Sequence, residues 1–389
     1  MQIDYETGLI IDAMEEFCGE IKLVGGCVRD FILQREVRDI DLATNLLPNQ
    51  IIKALRFCGI KSIPTGLNHG TITAVLNNRS FEITTLRYDT QCNGRHAKVE
   101  FTNNWEIDAS RRDFTFNALY ADKYGNIYDY FNGIKDLRLR RLNFIGNPED
   151  RIKEDYLRIL RAFRFHAKIC IGDLSCRILE VCKKYSHMIQ SLSGERIRDE
   201  IFKLLECNNP VLTLKNMQKS EVLQKIIPRE VKCEILSSPF LFDADALIKL
   251  ALLLRTAGDT LNLGKYMGRF LCLSNKQKKK LLFYLSNDIK IGMSKKEQKK
   301  YISLFGKELY CDLVKICGVE SEVDVSEYIL FAKAFNIIKF PLSGSDLMNI
   351  GYQPGKSLSN NLELLRRHWE DNSYSLTKEE LLLYAKNML

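Results

Sequence analysis

The spacing of hydrophobic residues divides the chain into two parts. In roughly the first 135 residues, the hydrophobic positions form short β-rich runs at residues 21–24, 71–76 and 80–86. Turn-forming residues separate these runs, as in the Asn77-Asn78 pair. Pro48 precedes a segment with helical spacing, which predicts a helix over residues 49–58. We therefore predict that this part is an α+β domain built on one sheet.

After residue 148 the hydrophobic spacing becomes helical. Leu157, Leu160 and Phe163 recur at intervals of three and predict one helix over residues 150–168. The same kind of pattern predicts further helices over residues 193–205, 243–256, 276–286, 326–335 and 377–389. The predicted fold is therefore α+β, with an N-terminal sheet domain followed by an all-helical remainder.

Composition and charge refine this picture only slightly. The 389 residues are 46% hydrophobic and 27% charged, which is ordinary for a globular protein, and the net charge of +8 modestly favours a nucleic-acid or phosphate partner. The twelve cysteines include no C-x-x-C pair, which argues against a zinc site and for free thiols. No apolar run reaches the ~18 residues of a membrane span, and the acidic N-terminal segment does not resemble a signal peptide. We expect a cytoplasmic protein with no membrane association and no obligate protein partner.

The first stretch with clear chemistry is a turn at Gly25 and Gly26. A predicted strand ends there and a predicted helix begins. Two adjacent glycines let backbone N–H groups approach a phosphate closely, and the start of a helix adds partial positive charge. Arg29 follows one turn later and could pair with a phosphate oxygen. The pattern predicts a phosphate-binding turn.

Two aspartates follow this turn. Asp39 and Asp41 stand at i and i+2, which would place both carboxylates on the same face of a strand. Adjacent carboxylates repel each other unless a cation lies between them, and Mg²⁺ prefers carboxylate and phosphate oxygens. A lone D-x-D pair is common on protein surfaces, but its combination with a glycine turn and an arginine is far more specific. We predict that Asp39 and Asp41 bind Mg²⁺.

Four motifs follow one another along the chain. They are Gly25-Gly26-Cys27-Val28-Arg29-Asp30 with Asp39-Ile40-Asp41, Arg111-Arg112-Asp113-Phe114-Thr115-Phe116-Asn117-Ala118, Glu154-Asp155-Tyr156-Leu157-Arg158, and Ser193-Gly194-Glu195-Arg196-Ile197. Together they resemble the class II tRNA nucleotidyltransferase (CCA-adding enzyme) and bacterial poly(A) polymerase family over about residues 21–205. Gln34 departs from the family, which usually has glycine in that turn.

The resemblance implies a head over residues 1–138, a neck over 139–210, and a tRNA-binding body and tail over 211–389. It also implies a two-metal reaction, with Mg²⁺ as cofactor. In this reaction C and A from CTP and ATP are added to the 3′ end of tRNA, and pyrophosphate leaves. Family members usually have a third carboxylate on a neighbouring strand, for which Glu82 is our candidate. The alternative for Glu82 is an exposed strand residue without a catalytic role.

The resemblance also implies nucleotide contacts from the second motif. Arg112 and Asp113 would face the nucleotide, where the carboxylate of Asp113 can accept a hydrogen bond from a ribose 2′-hydroxyl. The alternative is a structural arginine–aspartate pair.

A base-reading role is implied for the predicted helix over residues 150–168. Asp155 and Arg158 are three residues apart and would lie on one face of it, and Arg161 and Arg164 continue that spacing. Cytosine and adenine each offer an amino donor beside a ring-nitrogen acceptor, which a carboxylate and a guanidinium match, whereas uracil and guanine present the reverse. Arg161 and Arg164 could support the pair or reach phosphates. Without the resemblance, these residues would read as an ion pair on a solvated helix face.

Several alternatives stay open. An A-adding enzyme or a poly(A) polymerase of the same family would share these motifs, although the chain length disfavours the latter, and a non-catalytic RNA-binding protein would be of another class. Residues 87–106 resemble the flexible loop of family members that add the terminal A, which disfavours an enzyme that adds only C. The resemblance lies in Arg87, Asp89, Gly94, Arg95 and Val99.

A lysine-rich segment covers residues 276–300. It holds nine lysines against Asp288 and Glu297. Such a run is either a solvated surface or a patch for RNA phosphates.

Overall fold

A computed structural model of the chain describes residues 3–37, 39–93, 96–241, 243–336, 339–372 and 374–388. Two compact units are present, one formed by Met1–Cys233 with Arg269–Leu273 and the other by Glu234–Gly268 with Ser274–Leu389. The predicted domain boundaries after residues 138 and 210 both fall inside the first unit and stay predictions.

The strands all belong to the first unit. They are β1 Ile21–Val24, β2 Asp41–Thr44, β3 Lys61–Gly66, β4 Thr71–Leu76, β5 Arg79–Thr85, β6 Arg87–Asn93, β7 His96–Phe101, β8 Leu119–Ala121 and β9 Ile127–Asp129. Among the described residues, seven of them form one sheet in the order β3-β4-β5-β2-β1-β8-β9, while β6 and β7 form a separate ribbon. Only the β2–β5 pairing of the described sheet is parallel.

The helices of the first unit surround and follow the sheet. They are α1 Tyr5–Glu16, α2 Gly26–Ile32, α3 Pro48–Phe57, α4 Trp105–Ser110, α5 Gly133–Arg138, α6 Pro148–Glu154, α7 Leu157–Ile169, α8 Cys176–Lys184, α9 Gly194–Leu205, α10 Val211–Lys219 and α11 Val222–Ile226. One hydrophobic cluster of the sheet domain gathers Val24, Ala43, Leu86 and Tyr120, with Trp105 of α4 packed against them. This cluster fixes the ends of β1 and β2, from which the candidate site is built.

The second unit is helical. Its helices are α12 Ala246–Arg255, α13 Thr260–Phe270 (whose last two residues lie in the first unit), α14 Asn275–Ser286, α15 Lys295–Phe305, α16 Lys307–Glu320, α17 Ser326–Ala334, α18 Gly344–Met348, α19 Lys356–Asp371 and α20 Lys378–Lys386. The sequence specifies several of these starts through capping boxes, such as Ser294 with Glu297 and Thr377 with Glu380. The predicted α+β fold, with a sheet domain followed by helices, is confirmed.

One predicted turn is present, and one predicted helix is interrupted. The Asn77-Asn78 turn joins β4 to β5 with both residues in the left-handed region, at φ 49° and 61°, which asparagine tolerates better than most residues. The predicted single helix over residues 150–168 is wrong, because α6 ends at Glu154 and α7 begins at Leu157.

Among the described residues, no helix is long and apolar enough to cross a membrane. The cysteines whose side chains the structure describes are free thiols.

Candidate active site

The first feature of the site is a pair of carboxylates on neighbouring strands. Asp41 is the first residue of β2, and the parallel register places it opposite Glu82 of β5. Asp39 lies two residues earlier, exposed and outside the strand. The prediction that both aspartates share a strand is therefore wrong. In the described sheet, β1 ends at Val24 in the glycine turn, so the residues before Asp41 have no strand to pair with on that side.

The electrostatics of these carboxylates suit a cation. Burial raises the pKa of the Asp41 carboxyl, the charges of Glu82 and Asp39 raise it further, and Arg112 opposes them. The carboxylate oxygens of Asp39, Asp41 and Glu82 do not all lie within 4.8 Å of one another in the described structure. Their side chains offer only oxygen ligands, and their mutual repulsion is what a hard divalent cation would relieve. The donor set therefore fits such an ion.

The predicted phosphate-binding turn lies directly beside Asp41. Gly25 has φ +71° and ψ −113°, a conformation that L side chains rarely adopt, so glycine is required there. Gly26 begins α2. The Arg29 side chain is buried, and it donates to Asn117 Oδ1 at 2.6 Å and to Asp30 Oδ1 at 2.9 Å. Arg29 therefore lies at the turn, held by two protein acceptors.

Arg112 is positioned by a buried aspartate that sequence reasoning missed. Asp108 of α4 accepts hydrogen bonds from Arg112 Nη2 at 3.1 Å, Arg111 Nε at 2.9 Å and the Tyr120 hydroxyl at 2.7 Å. Burial disfavours the charged form of Asp108, but Arg112 and Arg111 outweigh it and hold the pKa of this carboxyl well below its usual range. The sequence signal that could have revealed Asp108 is its position four residues before Arg112, a spacing at which side chains can interact.

Asp113 is saturated by protein donors. Its Oδ1 accepts from Phe114 N at 2.8 Å and Asn117 Nδ2 at 2.9 Å, while its Oδ2 accepts from Arg161 Nε at 2.7 Å and Nη2 at 2.6 Å. A carboxylate has about four acceptor positions, so these bonds fill it. A structural arginine–aspartate pair is present, with Arg161 rather than Arg112 as the partner. The predicted ribose contact would have to replace one of these bonds.

The break between α6 and α7 falls at the residue predicted to read the base. Asp155 is extended, at φ −156° and ψ 108°, and its Oδ1 accepts from Leu157 N at 3.1 Å. This local bond competes with helix continuation and starts α7 instead. Asp155 Oδ2 accepts from Arg196 Nη2 of α9 at 2.6 Å. The argument that Asp155 and Arg158 share one helix face is therefore wrong.

Arg158 joins the two helices and reaches the sheet domain. Its Nη1 donates to Glu154 Oε2 at 2.6 Å and to Arg151 O at 3.0 Å, and its Nη2 donates to Arg111 O at 3.1 Å. Farther along α7, Arg164 Nε donates to Glu200 of α9 at 2.5 Å.

A cleft of about 610 Å³ brings most of these residues together. All the predicted site residues line it except Asp39 and Glu82. It also takes in Arg87, Asp89, Asn117 and Arg196, which the sequence analysis placed in motifs or in the loop segment without giving them a role in the site. In the described lining, eight arginines face four aspartates. This excess of positive charge suits a polyphosphate ligand.

The segment over residues 87–106 borders the same cleft. Most of it is an antiparallel ribbon, β6 paired with β7, while Gly94 and Arg95 lie outside the described residues. Arg87 N donates to Asp108 Oδ1 at 3.2 Å, which ties the ribbon to the aspartate that holds Arg112. Burial and the nearby charge of Arg111 lower the pKa of Arg87 to about 10.

Comparison with known proteins places the chain in a family. The Poly A polymerase head domain family matches residues 21–143, and the family described as the probable RNA and SrmB-binding site of polymerase A matches residues 173–231. The CCA tRNA nucleotidyltransferase 1, mitochondrial, of Danio rerio is 33% identical over 93% of this chain and 86% of its own length. Its Homo sapiens counterpart is 34% identical over 94% and 86%. The chain belongs to the CCA tRNA nucleotidyltransferase family.

Family membership makes the chain a nucleotidyltransferase, and enzymes of this kind generally use divalent metal ions. The resemblance inferred from the motifs is confirmed. The fold agrees with the crystal structure of the Bacillus stearothermophilus CCA-adding enzyme in complex with CTP, at a TM-score of 0.84 and 23% identity, covering 100% of this chain and 98% of that one. The individual roles of the twelve predicted site residues stay predictions.

Proposed function

We propose that this nucleotidyltransferase adds C and A, taken from CTP and ATP, to the 3′ end of tRNA without a nucleic-acid template. The observation that carries the proposal is the arginine-lined cleft, which has Asp41 and Gly25 on its sheet-domain wall and Asp155 and Arg158 on its helical wall. One wall offers groups for metal and triphosphate, and the other offers groups for a base. The names of the relatives, CCA tRNA nucleotidyltransferase and CCA-adding enzyme, support the same reaction.

The reaction joins an RNA hydroxyl to the nucleotide. The 3′-oxygen of the RNA forms a bond to the α-phosphorus, the bond from that phosphorus to the bridging β-phosphate oxygen breaks, the hydroxyl proton passes to solvent, and pyrophosphate leaves. Mg²⁺ held by Asp39 and Asp41, with Glu82 as third carboxylate, would lower the pKa of the hydroxyl and neutralise charge on the phosphate. Arg29 and Arg112 bind phosphate oxygens from the turn and from the second motif.

The helical wall chooses the base. Three of the five N–H groups of Arg158 are bonded to protein acceptors in the described structure, which leaves two for a ring nitrogen and its neighbour. Asp155 has two of about four acceptor positions filled, and the others can accept from an exocyclic amino group. Asp155 and Arg158 line the same cleft on either side of the helix break. Both can therefore still hydrogen-bond to cytosine or adenine, although they do not share a helix face.

A primer series tests the proposed function. Purified enzyme should be offered tRNAs that end before CCA, after C and after CC, with each nucleotide separately and together, and the products sequenced. A full CCA-adding enzyme extends all three and stops after the final A, and it leaves a control tRNA that already ends in CCA unchanged. Extension of only the CC-ending tRNA would indicate an A-adding enzyme, and continued A addition would indicate a poly(A) polymerase.

The lysine-rich segment gives a prediction for RNA binding. Lys278 and Lys279 of α14 are candidates for binding phosphates, whereas Lys280 is already paired with Glu308 at 2.5 Å and Asp312 at 3.5 Å. Replacing Lys278 and Lys279 with alanine should lower tRNA affinity and reduce the slope of log affinity against log salt by roughly 0.7–0.9 for each phosphate that the variant no longer binds. Titration of labelled tRNA at several salt concentrations measures this.

Lys280→Gln is the matched control, because the charge of Lys280 is neutralised within the protein. It should leave the salt slope at the parent value. If the Lys278/Lys279 variant also keeps the parent slope, the segment is a solvated surface.

The compartment stays a prediction. The sequence favours the cytoplasm, whereas the zebrafish and human relatives are named as mitochondrial proteins. We retain the cytoplasmic location as part of the proposal, to be tested by fractionation of cells that express the chain.

A further inference from the structure

The carboxylate of Asp113 lines the cleft, yet protein donors fill all of its acceptor positions. Two of the bonds reach Oδ1, from Phe114 N and Asn117 Nδ2, and two reach Oδ2, both from Arg161. A ribose 2′-hydroxyl can donate to this carboxylate only if one of these donors gives way. The four bonds differ in what their release would cost.

The two donors on Oδ1 are difficult to release. Phe114 is buried, and a buried backbone N–H left without an acceptor is costly. The Asn117 amide is held at both ends, because its Oδ1 accepts from Arg29 Nη1 at 2.6 Å while its Nδ2 donates to Asp113. Turning this amide away from Asp113 would therefore break the bond to Arg29 as well.

The Arg161 guanidinium can release one bond and keep the other. Its Nε and Nη2 both donate to Asp113 Oδ2, at 2.7 Å and 2.6 Å, so the ion pair survives when one of these bonds is lost. Its remaining nitrogen, Nη1, lies 3.8 Å from Glu200 Oε1, which is too long for a hydrogen bond but close enough for a small movement to make one. The Arg161 side chain is also 31% exposed, against 7% for Asp113 and Glu200, which leaves it room to move.

Glu200 of α9 is a buried carboxylate behind the wall of the cleft. Its Oε2 accepts from Arg164 Nε at 2.5 Å, and its Oε1 is the oxygen nearest to Arg161. Glu200 does not belong to the described lining of the cleft, whereas Arg161 and Arg164 do. Any influence of Glu200 on a bound nucleotide must therefore pass through these arginines.

We propose that Glu200 is a positioning residue for ribose recognition. When a ribonucleotide binds, Arg161 gives up one of its bonds to Asp113 and moves onto Glu200, and the 2′-hydroxyl donates to the acceptor position that becomes free. The charged acceptor compensates Arg161 for the lost bond. A 2′-deoxynucleotide has no hydroxyl to fill the position, so it gains nothing from the movement. This inference rests on the proposed function, because it requires a nucleotide in the cleft with its ribose at Asp113.

Selection between ATP and dATP tests the movement. The kcat/KM for addition to a tRNA that ends in CC should be measured with each nucleotide, for the parent and for Glu200→Gln. Glutamine offers Arg161 only a neutral acceptor, and charge-assisted hydrogen bonds are roughly twice as strong as neutral ones, so the ratio of ATP to dATP should fall at least about threefold. A purely structural defect would lower both values and leave their ratio unchanged.

Glu200→Asp provides a second variant if the glutamine variant folds poorly. It keeps the negative charge for Arg164, but its side chain is one methylene shorter, which moves the acceptor away from Arg161. The ratio of ATP to dATP should fall in this variant too. Asp199→Asn is the matched control, because Asp199 is the exposed neighbour of Glu200 on α9 and pairs with Arg198 at 2.8 Å. Its ratio should equal that of the parent.

A double-mutant cycle shows whether Glu200 acts through Arg161. In an Arg161→Gln background, Glu200→Gln should leave the ratio of ATP to dATP unchanged, because no guanidinium remains at position 161 to be received. A ratio that stays at the parent value in both single Glu200 variants would overturn the proposal. So would a fall that persists in the Arg161→Gln background, or a parent enzyme that uses dATP as well as ATP. Failure of the parent to extend any tRNA would instead refute the proposed function.

Discussion

Replacing Asp41 with asparagine should lower turnover by at least about 10³-fold, because it removes a carboxylate that the proposed reaction uses to hold the metal at the α-phosphate. Asp41 is half-buried at the first position of β2, where it pairs in register with Glu82. The asparagine variant has no carboxylate at this position. Single-turnover incorporation of ATP into a tRNA that ends in CC measures the effect. The exposed Asp12→Asn variant on α1 is the matched control and should keep the parent rate.

Thermal unfolding separates loss of function from loss of fold. The raised pKa of Asp41 means that the folded protein holds this proton more tightly than the unfolded chain does. The free energy of unfolding therefore falls as pH rises from the ordinary aspartate pKa to the raised value, and the penalty is complete above the raised value. Asparagine removes this penalty, so the metal-free variant should unfold at no lower temperature than the parent.

Added Mg²⁺ should raise the Tm of the parent more than that of Asp41→Asn. Parent-like incorporation by the variant would refute the metal assignment.

Replacing Arg158 with alanine should reduce selectivity among nucleotides. A hydrogen bond from a charged donor contributes about 1.5–3 kcal/mol, so incorporation of C and A should lose roughly 10- to 150-fold in kcat/KM. U and G never satisfy this donor and should lose much less. The loss of the bond from Nη2 to Arg111 O will lower all four rates together, so the ratio of C and A to U and G is the quantity to measure.

Glu154→Gln provides the control for this experiment. It removes the ion pair at Nη1 but keeps the guanidinium beside Asp155, so its effect should be small and equal for the four nucleotides. If Arg158→Ala lowers the rates for all four nucleotides equally, Arg158 acts only through its bonds to Glu154 and to the backbone of Arg151 and Arg111, and the base-reading proposal fails.

Much of the sheet domain could be predicted because its signals are local. β1 and β4 match the predicted runs, since runs of four to six mostly hydrophobic residues between turn formers have few other stable conformations. The α3 helix follows from Pro48, which the structure places at its first position. The glycine turn and ten of the twelve predicted site residues reach one cleft because their motifs lie at the ends of such local elements.

Two of the failures involve distant partners that local spacing does not reveal. Helical spacing continues through residues 150–168, but Asp155 bonds to Leu157 N and to Arg196, forty-one residues away. Similarly, Asp113 finds Arg161 rather than its neighbour Arg112, which Asp108 has already engaged. Local conformational preferences can be inferred from a single sequence, whereas the relative stability of these long-range pairings cannot.

The parallel pairing of β2 with β5 also determines when the site can form as the chain is synthesised. Asp41 and Glu82 face each other only after α3, β3 and β4 have folded back between them. Closing a loop of that length costs on the order of 3 kcal/mol in chain entropy before the pairing returns any stability. A nascent chain emerging from the ribosome therefore carries no paired carboxylates until the whole excursion has been synthesised and has folded.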